Sequence, residues 1–156
     1  MTSWQSFRDD GGEMAAKVEA RFRNHKHHVM ATLRADGSPR VSGTEVDLRS
    51  GQAFLGSMWQ ARKALDLLRD PRVAVHSNPT DEHMVGGDAK FSAVAAEVPD
   101  DDPDKVEVAE HQPDERFHLF RLELTEAVLT EVDEEAGLLH VHVWRPGQGV
   151  RTTSRK

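Results

Sequence analysis

The chain has 156 residues, which is the size of one domain with one hydrophobic core, and its net charge of -7 argues against a general nucleic-acid binder. It contains no cysteine, which excludes disulfides, thiolate metal sites and thiol catalysis. The first residues include no apolar signal segment, and no later apolar run is long enough to cross a bilayer, so we expect a cytoplasmic protein with no membrane partner.

The first third of the chain is predicted to form a helix and a β-hairpin. Within a helical segment over 1–24, apolar side chains recur every four residues from 13 to 23, which indicates a helix with one buried face. Apolar residues then alternate over 29–34, and Asp36-Gly37 favours a tight turn into a second strand over 40–48. The first two strands are therefore expected to pair as a hairpin.

A third strand and a second helix are predicted next. The strand follows a turn at Ser50-Gly51, runs through 53–55 and ends at a Gly56-Ser57 corner. The helix that follows ends at Asp70-Pro71, because the residue before proline disfavours helical angles. A further strand is expected over 72–77.

An acidic segment lies in the middle of the chain. A polar loop over 78–88 leads into a strand over 89–98, and the acidic run 97–104 ends that strand. Asp102 and Pro103 suit the N-cap and first position of a short helix. We interpret the acidic run as a solvated connection rather than as a metal-binding loop.

The last third is predicted to form a long hairpin. A strand with a clear period of two runs over 117–132 and turns back into a strand over 138–144, and 145–156 are expected to remain as a tail. The whole pattern predicts a mainly β single domain, an antiparallel barrel of six or seven strands that is closed or nearly closed.

Two adjacent cations stand where the second helix begins. Arg62 and Lys63 occupy the positive end of the helix dipole, which favours anions over cations. A phosphate held by both side chains, the helix N–H groups and the Ser57 hydroxyl would turn this misfit into a binding site. The alternative interpretation is that both cations simply point into solvent.

Three pieces of the sequence resemble a known family: the hairpin segment 31–40, the Gly56-Ser57 corner, and the segment from Arg62 to Val73. The chain resembles the pyridoxamine 5′-phosphate oxidase-like split β-barrels that bind FMN. The resemblance covers about 25–98, with a looser match over 117–144, and it implies a Greek-key split barrel.

The resemblance implies where a cofactor would bind. It places the FMN phosphate on Arg62 and Lys63, and the ring and ribityl side beside Gly56 and Ser57. It also implies homodimers with two cofactors at the interface, to which both subunits contribute. The remaining expected cofactor residues, from the second strand and the strand after the polar loop, are Arg40, Val41, Ser42, Gly43, Thr44 and Lys90.

A homodimer is favoured by composition as well. Only 37% of the residues are apolar, and a small subunit that also houses a cofactor gains from burying surface against a second copy.

The chain also departs from the pattern of pyridoxamine phosphate oxidases. Glu45 or Val46 stands where those enzymes keep a lysine, and 144–151 replaces their C-terminal Arg-x-His motif. We therefore expect an FMN-dependent oxidoreductase that acts on another small molecule. No catalytic residue is assigned, because the flavin itself carries the chemistry.

Two alternatives remain on the same fold. One is a reductase that uses the 8-hydroxy-5-deazaflavin coenzyme; the other is a non-catalytic module that binds flavin or haem. A deazaflavin site needs cations for its phosphodiester and acidic tail, and the C-terminal tail offers four unless it is frayed and solvated. These cations are Arg145, Arg151, Arg155 and Lys156.

Histidine and tryptophan are the last candidate side chains. His140 and His142 lie on one face of a strand, and three histidines cluster at 25–28, but no carboxylate is obviously paired with them, so we expect no metal site. Trp59 adjoins the Gly56-Ser57 corner and is a candidate cover for a ring edge, whereas Trp4 and Trp144 are expected to pack in the core.

Overall fold

The computed structural model describes residues 2–79 and 82–156, and that part of the chain forms three helices and nine strands. The mainly β prediction is therefore confirmed. In chain order the elements are α1 (Trp4–Arg23), β1 (His28–Leu33), β2 (Pro39–Thr44), β3 (Val46–Arg49), β4 (Gln52–Met58), α2 (Arg62–Arg69), β5 (Arg72–His76), β6 (Asp88–Glu97), α3 (Pro103–Ala109), β7 (Phe117–Asp133), β8 (Leu138–Arg145) and β9 (Gly149–Arg155).

One antiparallel sheet contains all nine strands. Its main path is β2-β1-β5-β6-β7-β4-β3, and β8 and β9 extend it from the far half of β7. The length of β7 makes this possible, because its first half pairs with β4 and its second half pairs with β8. The two ends of the path, β2 and β3, are separated by Glu45 alone, yet the sheet is not closed there. This open seam is what makes the barrel a split one.

Helix α1 begins earlier than the apolar repeat over 13–23 indicates. Ser3 caps it by accepting a hydrogen bond from the Ser6 amide, and the Trp4 and Phe7 side chains are fully buried. Gly12, with a φ of 52°, kinks the helix between its two halves, a conformation that glycine adopts without strain. The helical periodicity was visible only after this kink, which explains the shorter prediction over 13–23.

The core lies between α1, α2 and the inner face of the curled sheet. The Trp4 ring packs edge to face against Phe22 and Phe91, and Phe7 contacts the buried Trp144 ring. Helix α2 contacts β1 on one side and β4 on the other, and its Ala64 and Leu67 side chains join the core. Helix α2 therefore lies against strands from both sides of the seam and presents its first turn beside β2.

Two predicted elements need correction, and with them the number of strands. The single strand over 40–48 is two strands, because the chain bends at Glu45 from one end of the sheet to the other. The tail at 145–156 is not frayed, since β9 pairs with β8 along seven residue pairs. The sheet consequently has nine strands rather than six or seven. By contrast, the helix stop at Asp70 and the Asp102 cap with Pro103 are confirmed.

Within the described ranges, none of the helices combines the length and the apolar character that a bilayer-spanning helix requires.

Candidate functional site

The first turn of α2 has no anionic cap. Ala61 is the N-cap residue, so no side-chain oxygen accepts from the first N–H groups, and the first turn carries no acidic residue. The Ala61 carbonyl accepts hydrogen bonds from the Ala64 and Leu65 amides. The amides of the two residues before Ala64, Arg62 and Lys63, therefore have no acceptor within the helix. The positive end of the helix dipole is therefore available to an external anion.

Arg62 and Lys63 add two cations to this helix end. Arg62 is exposed and, across residues 2–79 and 82–156, has no ion-pair partner. The Lys63 ammonium donates to the Gly43 carbonyl at 2.8 Å. Burial lowers the pKa of Lys63, and the nearby Glu45 charge offsets only part of that effect. The site thus holds two cations whose closest described contact is a neutral carbonyl.

A buried carboxylate fixes α2 against the hairpin. The Asp66 Oδ2 atom accepts from Arg40 Nε and from Thr32 Oγ1, both at 2.7 Å, and Oδ1 accepts from Arg69 Nη2 at 3.0 Å. Burial by itself would raise the pKa of Asp66, but the hydrogen bonds from Arg40, Thr32 and Arg69 bring it below its usual value. Arg40, an expected cofactor residue, therefore binds Asp66 through Nε.

The other expected residues of β2 lie on alternating faces. Val41 and Gly43 point outward, and Val41 is 71% exposed. Ser42 is half-buried and Thr44 is buried on the opposite face. A Cβ on Gly43 would meet no atom within 4 Å, so packing inside this chain does not require glycine there. The open space above Gly43 suits the close approach of a flat ring.

An apolar groove crosses the outer face of the sheet beside Val41. Its volume is about 260 Å³, and its floor includes Val29, Ala31 and Ala74 from two neighbouring strands. Lys90 lines the same groove from β6, where it pairs with His76. Strands β1 and β5 lie between β6 and β2, so Lys90 is roughly 14 Å from β2 at the usual strand spacing. Lys90 thus shares the groove with Val41 but lies apart from the start of α2.

Gly56 and Ser57 face opposite sides of β4. Gly56 is exposed, and a Cβ there would also meet open space. The Ser57 side chain is buried and donates to the Met58 carbonyl at 3.1 Å, so its hydroxyl already has a partner within the chain. The structure brings Gly56 to the surface before α2 but turns the Ser57 hydroxyl inward.

A stack of side chains that the sequence did not indicate supports the turn before α2. The Trp59 ring lies 4.4 Å from the buried His118 ring and nearly parallel to it, and the Arg116 guanidinium lies 3.8 Å from the Trp59 ring. The Gln60 amide donates to His118 Nε2 at 3.2 Å, and His118 Nδ1 contacts Glu97 Oε1 at 2.9 Å. These contacts span up to 59 residues, and the local sequence signal was limited to the inward position of His118 on its strand.

The strand histidines pair with neighbours of their own sheet. His142 Nε2 lies 2.8 Å from Glu131, and His140 Nδ1 lies 2.7 Å from the Ser154 hydroxyl. In the described part of the chain, no group of three or more histidine and acidic side chains is arranged to hold a metal ion.

The cations of the segment that was expected to be a C-terminal tail lie on β9 or next to it. Arg145 is paired with Glu126, whereas Arg151 and Arg155 lie on β9 opposite Val143 and Leu139. Strand β9 contacts β8 and α1.

No protein-family model matches the chain, and no curated protein matches it in sequence. Solved structures match it in fold. A pyridoxamine 5′-phosphate oxidase-related, FMN-binding protein from Nostoc punctiforme PCC 73102 superposes with a TM-score of 0.67 and 12% identity, over 93% of this chain and 95% of that chain. PhzG from Burkholderia lata 383, solved with tetrahydrophenazine-1-carboxylic acid, gives a TM-score of 0.64 and 14% identity, over 98% and 88%.

A haem protein shares the same fold. HutZ, the haem storage protein from Vibrio cholerae, superposes with a TM-score of 0.57 and 22% identity, over 70% of this chain and 88% of that chain. At identities from 12% to 22% these likenesses establish architecture, and they confirm in the structure the resemblance found in the sequence. The chain has the split β-barrel fold of the pyridoxamine 5′-phosphate oxidase-related proteins and is a divergent example of it.

Proposed function

We propose that the protein binds FMN, with the phosphate at the start of α2, and that it is an oxidoreductase acting on a small molecule. The observation that carries this proposal is the start of α2, where the first turn has no side-chain cap and no acidic residue and where Arg62 and Lys63 add two cations. An anion at this point would satisfy free N–H groups and two cations at once. A phosphate monoester fits this donor set.

The outer face of the sheet suits the rest of such a cofactor. Gly43 and Gly56 leave open space where other residues would place a Cβ, and Val41 offers an exposed apolar side chain next to the groove. A flat apolar ring system would cover these positions while its phosphate lies against Arg62 and Lys63. When bound, FMN supplies hydride and electron transfer, and the chain binds it, orients it and limits access of water.

A homodimer is the second part of the proposal. The groove, at about 260 Å³, is smaller than the roughly 300–1,000 Å³ that small-molecule sites occupy, which supports a site that a second subunit completes. Val29 and Val41 are exposed on the same face, and contiguous exposed apolar surface marks an interaction site. We propose that a second copy covers this face and completes the cofactor site.

Replacing Val29 by glutamate tests this dimer. The side chain is 38% exposed on β1, and the change should weaken dimerisation about a hundredfold, since an unpaired buried charge costs several kcal/mol. Sedimentation equilibrium measures the dissociation constant. Val150→Glu is the matched control, because Val150 is 39% exposed but lies on β9, and it should leave the dimer unchanged. A wild-type monomer, or equal effects of both changes, would contradict the proposed interface.

The two alternatives predict different ligands. Haem binding is supported by the likeness to HutZ, whereas deazaflavin binding would use Arg151 and Arg155, which lie on β9 rather than on β2, β4 or α2. The purified protein should therefore be titrated with FMN, riboflavin, the deazaflavin coenzyme and haem, with the visible absorption spectrum as the readout.

Saturable binding of FMN, with much weaker binding of riboflavin, is the result we expect, because riboflavin lacks the phosphate. Reduction of the bound flavin by a nicotinamide donor, followed by its reoxidation by an added acceptor, would then separate an enzyme from a carrier. Preferential binding of haem, or equal binding of FMN and riboflavin, would overturn the proposal.

A further inference from the structure

We propose that His118 is a positioning residue for the phosphate site, holding the turn before α2 in its binding shape through the hydrogen bond that its Nε2 accepts from the Gln60 amide. This inference rests on the proposed function, because the turn matters only if the start of α2 binds a phosphate. His118 itself is 1% exposed and is given no contact with the cofactor.

The geometry assigns the tautomer of His118. The Gln60 backbone N–H can only donate, so Nε2, at 3.2 Å from the Gln60 nitrogen, must accept. The proton of the neutral ring then lies on Nδ1 and is donated to Glu97 Oε1 at 2.9 Å. Glu97 therefore selects the ring form that presents a lone pair to the turn.

The turn needs this support because of its backbone. Gln60 has a φ of 60°, a left-handed conformation that is unfavourable for a residue with a side chain. Only Ala61 separates it from Arg62, and the Ala61 amide donates to the Met58 carbonyl at 3.1 Å. The hydrogen bond to His118 is the long-range anchor of the strained residue. Without it, we expect the turn to relax and the start of α2 to shift.

Stacking makes the anchor rigid. The Trp59 ring covers the His118 ring at an interplanar angle of 10°, and Phe120 lies behind it at 6.0 Å between ring centroids. The imidazole is therefore fixed in the plane that aims Nε2 at Gln60. A replacement that keeps the stack but lacks the acceptor isolates the role of the hydrogen bond.

Two substitutions of His118 separate acceptor from packing. His118→Phe keeps a flat ring against Trp59 and removes the acceptor, whereas His118→Gln places an amide oxygen near the position of Nε2. We expect His118→Phe to weaken FMN binding about tenfold, the effect of one hydrogen bond, and His118→Gln to restore most of it. Riboflavin affinity should stay constant in both variants, because the turn positions only the phosphate contacts.

A third variant acts through the tautomer and leaves the core intact. Glu97→Lys offers only N–H donors to Nδ1, so Nδ1 must accept, the ring proton moves to Nε2 and it is set against the Gln60 N–H. We expect a loss of FMN affinity similar to that of His118→Phe. The imidazole ¹⁵N chemical shifts should report the Nδ1–H form in the wild type and the Nε2–H form in this variant. This variant tests the inference even if His118→Phe fails to fold.

These experiments distinguish failure of the proposed function from failure of the inference about His118. Failure of the proposed function would appear as no FMN binding by the wild type, and hydrogen exchange at the Gln60 amide would then decide whether His118 still holds the turn. Failure of the inference would appear as tight FMN binding that His118→Phe and Glu97→Lys leave unchanged, or as a Gln60 amide that exchanges equally fast in all four proteins.

Discussion

Replacing Arg62 and Lys63 together by alanine is expected to weaken FMN binding roughly a hundredfold while leaving the fold intact. Each charged donor to a phosphate contributes about 1.5 kcal/mol or more, so the loss of both amounts to about 3 kcal/mol. Lys63 donates to the Gly43 carbonyl and Arg62 is exposed, and neither side chain is part of the hydrophobic core. Fluorescence titration with FMN measures the change, and circular dichroism checks the fold.

The double change Arg151→Ala, Arg155→Ala is the matched control. It also removes two exposed cations, but from β9, and it should leave FMN affinity unchanged. The same control tests the deazaflavin alternative, which assigns those cations to the coenzyme tail. If both double variants weakened FMN binding equally, the effect would be one of net charge, and the site at α2 would be wrong.

Replacing Asp66 by asparagine is expected to lower the free energy of unfolding by about 3 kcal/mol at neutral pH. Removing one partner of a buried ion pair leaves the other without compensation, and the new amide would turn a donor toward Arg40 or Thr32. The expected loss lies at the lower end of the range for a broken buried ion pair, because the arginine partners remain partly solvated. Urea unfolding measures the change. Asp47→Asn, in a more exposed pair with Arg49, should cost less than about 1 kcal/mol.

The effect of Asp66 should also depend on pH. Because the pKa of Asp66 is lower in the folded protein than in the unfolded chain, ionisation of this group favours folding. The contribution is fully present above the unfolded value of about 4 and is lost as the pH falls through the folded value. The stability difference between wild type and Asp66→Asn should therefore shrink on acidification below about pH 4. A difference that stayed constant to low pH would show that Asp66 is not ionised in the folded protein.

Local sequence signals predicted the elements that depend on local chemistry. The period of two in β7, the hairpin into β8 and the stop of α2 at Asp70 all arise from neighbouring residues, and all are confirmed. Within the helical segment predicted over 1–24, the apolar repeat located only the second half of α1, because Gly11-Gly12 interrupts that repeat. Strand β9 was missed because its side chains are exposed on both faces, so its sequence shows no alternation of apolar and polar residues. Its strand conformation comes from pairing with β8.

The same distinction holds at the candidate site. The position of Arg62 and Lys63 at the start of α2 could be predicted from the sequence alone, and their binding of a phosphate stays a prediction. The partner of Arg40 could not, because Asp66 reaches it across 26 residues of chain and only the tertiary fold brings them together. The support of Gln60 by His118 spans 58 residues, and no periodicity encodes it.

The position of β7 in the chain sets the order in which the protein can fold during synthesis. β7 pairs with β6 on one edge and with β4 and β8 on the other, yet it comes late in the sequence, after six of the eight other strands. Until residue 133 has left the ribosome, β4 and β6 each keep an unpaired edge, which is a template for pairing with other chains. The nascent chain is therefore expected to need protection by chaperones until β7 emerges.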